Sequence, residues 1–233
     1  MLDRRLRLKE TERFLRWLCT YPILAKVNYF EVSIQKDRQL FPANHSWRGK
    51  PLVFYGSSIT QGCSASKAGT TYPALVGRAL GLEVFNYGFS SSARGEVAIA
   101  DYVACIDSSA VIVEYDHNVT VEELRNTHYR FYEQLRTVNP NTVILFVSRM
   151  SGGISITEAE EAERFEIISD TYSKAISAGD TKVALLRGND ILPKSNRADY
   201  FADDRHPNQA GMLLLSKKIE SVLREKLEID DAD

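Results

Sequence analysis

The sequence predicts a doubly wound α/β sandwich, and two regularities carry that prediction. Short apolar, β-branched runs recur from residue 51 at lengths typical of strands buried in a parallel sheet: PLVFYG, LEVFNYG, SAVIVEYD, NTVILFVSR and KVALLRG. Segments with helical patterning follow these runs: TYPALVGRAL, RGEVAIADYVACI, TVEELRNTHYRFYEQLRTV, ITEAEEAERFEIISDTYSKAISA and PNQAGMLLLSKKIESVLREKL. Five strands alternating with five helices favour a parallel sheet that has helices on both faces.

Local sequence signals mark two helix ends, and the residue pattern of the chain changes near residue 50. Thr120 and Glu123 form a capping box that opens the third helix, and Gly179 lies where the fourth should end. Residues 1–50 differ from the rest: a charged segment with loosely helical leucine spacing precedes ILAKVNYFEVSIQ, which alternates like a strand. We therefore predict an N-terminal extension over residues 1–50 and one α/β domain over residues 51–233.

Composition limits the classes of protein to consider. With 233 residues, 44% of them hydrophobic, and a net charge of −2, the chain can bury a substantial core but has no basic excess for nucleic acid. Its three cysteines lack CxxC spacing, and its histidines and carboxylates lack ligand spacing, so we expect no metal and no cofactor. No apolar run approaches a membrane span of about 20 residues, and the N-terminus is too charged for a secretion signal. These features favour a soluble, cytoplasmic protein and leave its oligomeric state open.

The residues that follow the strands are the candidates for function, because active sites in open parallel sheets form outside the carboxyl ends of the strands. Those residues are Gly56-Ser57-Ser58, Gly88-Phe89-Ser90-Ser91, Asp116-His117-Asn118 and Ser148-Arg149. A serine nucleophile needs a base, a carboxylate that orients the base, and donors for an oxyanion.

Of the histidines, His206 lies in the polar turn ADDRHPNQAG, where Asp203 can reach back to its imidazole within one turn. His128 lies within a predicted helix among Arg and Tyr residues, and we expect it to be solvated. Each fragment alone is weak evidence, since Gly-x-Ser is usually a turn or an N-cap. The joint occurrence of these fragments at strand ends is more specific evidence for a catalytic site than any one fragment alone.

From about residue 51 to the end, the chain resembles the SGNH (GDSL-type) serine hydrolases. YGSSITQG resembles their first block, NYGFSSS the second, EYDHN the third and DDRHPNQAG the fifth. The sequence of these motifs is closest to that of a bacterial subgroup whose first block begins GSSIT or GTSIT. The resemblance implies a flavodoxin-like three-layer sandwich with a five-stranded parallel sheet. It also implies a serine esterase or an acyl-transfer enzyme.

The resemblance assigns roles to individual residues. It implies Ser58 as the nucleophile, His206 as the base and Asp203 as the orienting acid, with the oxyanion held by the N–H groups of Ser58 and Ser91 and by the Asn118 amide. Candidate substrate contacts are His117, Gly88 and Arg149. Two positions depart from the family pattern, because Ser57 stands where Asp is commoner and Ser91 where glycine is usual. If that second position requires positive φ, serine carries a strain that glycine would avoid.

The expected reaction is cleavage of carboxylic esters through an acyl-enzyme on Ser58. The small polar residues of the loops CSASKAGTT and RMSGGISI favour short, acetyl-type acyl groups on a small molecule or a carbohydrate. Two alternatives stay open: an acyltransferase that uses the same site, and a catalytically degenerate binding module of the same fold. A nucleotide-binding protein is disfavoured, because GSSITQG lacks the GxxxxGK[ST] phosphate cradle.

Overall fold

The structure is a computed structural model and describes residues 47–150, 156–192, 195 and 197–230. Its five strands are β1 (Leu52–Gly56), β2 (Val84–Gly88), β3 (Ala110–Glu114), β4 (Val143–Val147) and β5 (Val183–Leu186). They form one sheet in the order β2-β1-β3-β4-β5, and every neighbouring pair is parallel. The predicted five-stranded parallel sheet is confirmed. Of the predicted N-terminal extension, residues 1–46 lie outside the described residues.

The helices are α1 (Ser58–Gln61), α2 (Tyr72–Leu80), α3 (Val97–Ala104), α4 (Val121–Val138), α5 (Glu158–Ser177), α6 (Gly188–Ile191), α7 (Arg197–Tyr200) and α8 (Gln209–Leu227). The five predicted helices correspond to α2, α3, α4, α5 and α8. The other three have only four residues each, too few to produce a helical period in the sequence. The capping box is confirmed, because the Glu123 N–H donates to Thr120 Oγ1 and the Thr120 N–H donates to the Glu123 carboxylate.

The sheet separates two apolar layers. In β1, Leu52 and Phe54 face a core shared with α2 and α8, whereas Val53 and Tyr55 face a second core shared with α3, α4 and α5. Alternation along a strand places successive side chains on opposite faces, so a strand that is apolar throughout must be covered on both sides. The molecule is therefore the three-layer sandwich that the sequence predicts.

The expectation that His128 is solvated is wrong. His128 is 3% exposed, its ring centroid lies 4.8 Å from that of Phe146, and its Nδ1 lies 2.9 Å from Thr171 Oγ1. His128 shares the buried face of α4 with Leu124 and Phe131, four residues before it and three after it, which is the spacing of one helix face. Burial lowers the pKa of His128 to about 3, so the imidazole is neutral in the folded protein at neutral pH.

The cysteines and the helix lengths complete the description of the fold. Cys63 and Cys105 are free thiols, whereas Cys19 lies in the undescribed N-terminal segment. Within the part of the chain that the structure describes, no helix combines the length and apolarity needed to cross a membrane.

Candidate active site

The end of β1 places the two serines in different environments. A Cβ on Gly56 would lie 2.2 Å from Thr60 Oγ1 and 2.3 Å from the Glu114 carbonyl oxygen, so only glycine lets α1 fold back onto the strand. Ser57 is the buried N-cap of α1, and its Oγ accepts a hydrogen bond from the Ile59 N–H. Ser58 is the first residue of α1. The chain therefore uses the first serine to begin the helix and leaves the second for other contacts.

Ser58, His206 and Asp203 form one hydrogen-bonded series. Ser58 Oγ lies 2.8 Å from His206 Nε2, and His206 Nδ1 lies 2.7 Å from Asp203 Oδ2. The other Asp203 oxygen accepts the backbone N–H groups of Arg205 and His206, both at 2.8 Å. Partial burial raises the pKa of Asp203, but these hydrogen bonds outweigh it and lower the pKa to about 2. Asp203 is thus a carboxylate at neutral pH that holds the imidazole in one orientation.

The loop that carries His206 is fixed at both ends. Phe201 and Pro207 form an antiparallel bridge across its base. Asn208 then caps α8, because its Oδ1 accepts the backbone N–H groups of Ala210 and Gly211. The neighbouring acid Asp204 pairs with Arg197 rather than with the imidazole. Its side chain therefore does not compete with Asp203 for the imidazole.

Three N–H donors lie at the ends of β1, β2 and β3. The Ser58 N–H is in the first turn of α1, where no carbonyl of the same helix can accept it. Ser91 has φ 58°, so the serine does adopt the left-handed conformation that glycine would adopt without strain. Among the hydrogen bonds of the described residues, neither of these two N–H groups has an acceptor. The Asn118 amide donates one hydrogen to the Phe89 carbonyl at 3.1 Å, and its second hydrogen can serve another acceptor.

The loop after β2 packs tightly against α1. A Cβ on Gly88 would lie 2.1 Å from the backbone nitrogen of Gln61, so the glycine permits a close approach of the two segments. The Ser90 N–H donates to Gln61 Oε1, and the Phe89 carbonyl accepts the N–H groups of Ser92 and Ala93. The helix backbone occupies the space beside Gly88, which gives this residue a packing role. Its predicted contact with substrate stays a prediction.

Glu114 is a site residue that the sequence analysis missed. It ends β3, is 1% exposed, and accepts hydrogen bonds from Ser57 Oγ at 2.8 Å and from Thr60 Oγ1 at 2.8 Å. Burial, followed by the negative charge of Asp116, raises the pKa of Glu114 to about 8 against the effect of these hydrogen bonds. A glutamate inside the apolar run SAVIVEYD was the available signal, because a charged residue in a fully buried strand needs polar partners.

Asp116, His117 and Arg149 lie in the interior beside Glu114. Asp116 Oδ2 accepts the Arg149 N–H at 2.9 Å, and burial raises the pKa of Asp116 to about 6. The His117 side chain is 4% exposed, with its Nε2 3.8 Å from Glu114 Oε1, and burial lowers its pKa well below the usual range. Arg149 is 7% exposed. The structure therefore does not bring His117 or Arg149 to an open surface, and their contacts with substrate stay predictions.

Comparison with known proteins shows the family to which the chain is similar. The model of the GDSL-like Lipase/Acylhydrolase family matches residues 49–224. A structure described as a GDSL-like lipase from Bacteroides ovatus ATCC 8483 is 25% identical, with 79% of this chain and 56% of that chain covered and a TM-score of 0.70. The salicylyl-acyltransferase SsfX3 from a tetracycline biosynthetic pathway is 18% identical, with coverages of 79% and 57% and a TM-score of 0.67.

A family two carbohydrate esterase from Clostridium thermocellum, in complex with cellohexaose, has the same fold. It is 15% identical, with 77% of this chain and 65% of that chain covered and a TM-score of 0.60. The chain thus spans less than two thirds of the length of each of these structures. No curated protein matches the sequence significantly. Because the family model extends from the residues before β1 into α8, the chain belongs to the GDSL-like lipase/acylhydrolase family.

Proposed function

We propose that this protein is a serine esterase that cleaves carboxylic esters through an acyl-enzyme on Ser58. The observation that carries the proposal is the continuous series from Ser58 Oγ to His206 Nε2 at 2.8 Å and from His206 Nδ1 to Asp203 Oδ2 at 2.7 Å. Nucleophile, base and orienting acid stand in the order that general-base activation of a hydroxyl requires. Membership of the family supports the same reaction class.

In the proposed mechanism, His206 Nε2 takes the Ser58 proton as Oγ attacks the ester carbonyl carbon. Asp203 accepts the Nδ1–H, which keeps Nε2 free to act as the base and stabilises the imidazolium that forms. The imidazolium then protonates the leaving alcohol, and the acyl group remains on Ser58. A water molecule that gives its proton to His206 attacks the acyl-enzyme, and the imidazolium returns a proton to Ser58 as the acid is released.

The developing oxyanion would be bound by the N–H groups of Ser58 and Ser91 and by the Asn118 amide. The two backbone donors have no acceptor among the described residues, and the Phe89 carbonyl holds the Asn118 side chain in place. Fixed donors of this kind stabilise charge without reorganising during the reaction. The positive φ of Ser91 is a strained conformation, and strain of this type is found where a site needs a particular backbone direction.

We propose short acyl groups on a carbohydrate or another small molecule as the substrate class. Phe89 precedes the Ser90–Ser92 segment, is 38% exposed, and stacks on Tyr87 with ring centroids 6.5 Å apart. Tyr102 continues this aromatic surface, 5.6 Å from Tyr87. Exposed rings beside exposed hydroxyls suit a ligand that has both apolar and polar faces, such as a sugar. The carbohydrate esterase with bound cellohexaose has this fold, which supports the same class.

The test is hydrolysis of p-nitrophenyl esters of increasing chain length, and of acetylated oligosaccharides, by the wild type, Ser58→Ala and Ser57→Ala. We expect Ser58→Ala to abolish hydrolysis and labelling by a fluorophosphonate. Ser57→Ala, the matched control, removes a cap but retains the nucleophile and should still be labelled. Labelling of Ser58→Ala, or rates that rise steadily beyond eight-carbon acyl chains, would contradict the nucleophile or the substrate class respectively.

An acyltransferase that uses the same residues is the second candidate. It is favoured by the structural similarity of the chain to a salicylyl-acyltransferase, with a TM-score of 0.67. The two activities differ only in whether water or an alcohol attacks the acyl-enzyme. Product analysis with and without an added acceptor alcohol separates them, because a transferase forms a new ester at the expense of free acid. A protein that shows neither product nor labelling at Ser58 would be the degenerate binding module.

A further inference from the structure

Three potential metal ligands converge at the end of β3. Oxygen atoms of Glu114 and Asp116 and a ring nitrogen of His117 all lie within 4.8 Å of one another. The two acids are 1% and 2% exposed, and the histidine side chain is 4% exposed. The series from Ser58 to Asp203 uses none of these three side chains. We expected no metal from the sequence, because the histidines and carboxylates of the chain lack a recognised ligand spacing.

Several buried polar atoms of this cluster have no hydrogen-bond partner. Within the described part of the chain they are Asp116 Oδ1 and both ring nitrogens of His117. The 3.8 Å between His117 Nε2 and Glu114 Oε1 is too long for a hydrogen bond. Buried groups left in this state destabilise a fold, and a bound ion or water molecule is a common way to satisfy them. A cation would satisfy Asp116 Oδ1 and one of the two ring nitrogens of His117, and its positive charge would offset the repulsion between two neighbouring buried carboxylates.

We propose that Glu114, Asp116 and His117 bind one divalent transition-metal ion, with Zn²⁺ as the best representative. Zinc accepts both carboxylate oxygen and imidazole nitrogen at about 2.0–2.2 Å, so two ligand atoms 3.8 Å apart can share one ion. The imidazole disfavours Mg²⁺ and Ca²⁺, which prefer oxygen ligands. Asp116 can take part through Oδ1, because Oδ2 already accepts the Arg149 N–H.

The ion would act on the position of the catalytic groups and would not contact the substrate. Glu114 holds Ser57 and Thr60, which flank Ser58 and fix the first turn of α1. His117 directly precedes Asn118, the proposed side-chain donor of the oxyanion hole. An ion bound by these ligands therefore ties the nucleophile turn to the loop that carries Asn118. This positioning role goes beyond the proposed esterase activity, and binding can be measured without any ester.

The experiment is equilibrium dialysis of the full chain against Zn²⁺, after treatment with a chelator, with Mg²⁺ as the comparison ion. We expect one Zn²⁺ per chain in the wild type, and a rise of Tm on adding Zn²⁺. Asp116→Asn and His117→Gln should weaken binding at least about 10-fold, because each removes a ligand of the ion. The control His206→Ala removes the other histidine of the site and should bind as the wild type does. Near-UV circular dichroism verifies that each variant folds. If His117→Gln does not fold, the Zn²⁺ binding of Asp116→Asn decides the test.

Three results would overturn the proposal. The first is the absence of saturable Zn²⁺ binding by the wild type, which would leave a buried water as the occupant. The second is Zn²⁺ binding that persists in Asp116→Asn and His117→Gln, which would mean that other ligands, such as Cys63 or Cys105, hold the ion. The third is binding that disappears in His206→Ala, which would locate the ion at the Ser58–His206–Asp203 series.

Discussion

Burial of His128 makes the stability of the fold depend on pH by an amount that the structure determines. The pKa of this imidazole is about 3 in the folded protein, against about 6.5 for an exposed histidine. Below pH 6.5 the unfolded chain therefore binds a proton that the folded chain does not. The contribution of His128 to stability is complete above pH 6.5 and declines as the pH falls towards 3.

The size of the effect follows from the two pKa values. Between pH 7.5 and pH 5.5 protonation of the unfolded state should lower the free energy of unfolding by about 1.4 kcal/mol, since one pKa unit corresponds to about 1.36 kcal/mol. His128→Gln cannot titrate and should lose this part of the pH dependence. Thr171→Val is the matched control: it removes the hydrogen bond to Nδ1 but keeps the imidazole, so it should keep the dependence.

The assay is urea unfolding of the wild type and both variants at pH 7.5 and pH 5.5. The informative quantity is the change in the free energy of unfolding between the two pH values, not the stability of each variant. Identical changes for the wild type and His128→Gln would refute the reasoning. Such a result would mean that the folded protein protonates His128 with an ordinary pKa, through a rearrangement that exposes the ring.

Three predictions concern the proposed site. Asn118→Ala should lower kcat/KM for a simple ester by about 10²–10³ if the amide stabilises the oxyanion; a change in kcat/KM of less than threefold would remove it from that role. Ser91→Gly should preserve esterase activity and should not lower Tm, because glycine adopts the observed φ of 58° without strain; a loss of activity with the fold intact would assign a function to the serine side chain. Phe89→Ala should raise KM for acetylated oligosaccharides but leave KM for p-nitrophenyl acetate nearly unchanged, and equal effects on both substrates would contradict a sugar-stacking role.

Regular features of the fold could be predicted because they depend on local patterns. The buried strands and the longer helices follow from the period of their apolar residues, and Thr120 with Glu123 marks a helix start without reference to the rest of the chain. The strand-end rule then selected Ser58 and Asn118 as candidates, and the turn between Asp203 and His206 is short enough to be recognised in the sequence. The resemblance to known hydrolases supplied their expected roles.

The features that escaped prediction have three different physical causes. Glu114 is recognisable as a partner of Ser57 only when Gly56 and Glu114 are known to be paired across β1 and β3. The burial of His117 depends on the turn after β3, whose direction a sequence pattern does not specify. His128 is different: its spacing from Leu124 and Phe131 was visible, but the charged residues around it obscured the buried face.

The two glycines that flank α1 have a consequence for altering this protein by directed evolution. Gly56 and Gly88 have no room for a Cβ, because it would lie 2.2 Å from Thr60 Oγ1 at the first position and 2.1 Å from the backbone nitrogen of Gln61 at the second, both in α1. Any larger residue at either position would shift Ser58, the proposed nucleophile, together with α1, and the effect would be the same for every ester. Variant libraries should therefore keep both positions invariant. Diversity is better introduced at exposed residues such as Phe89 and Ser90, where a new side chain meets solvent instead of the backbone of α1.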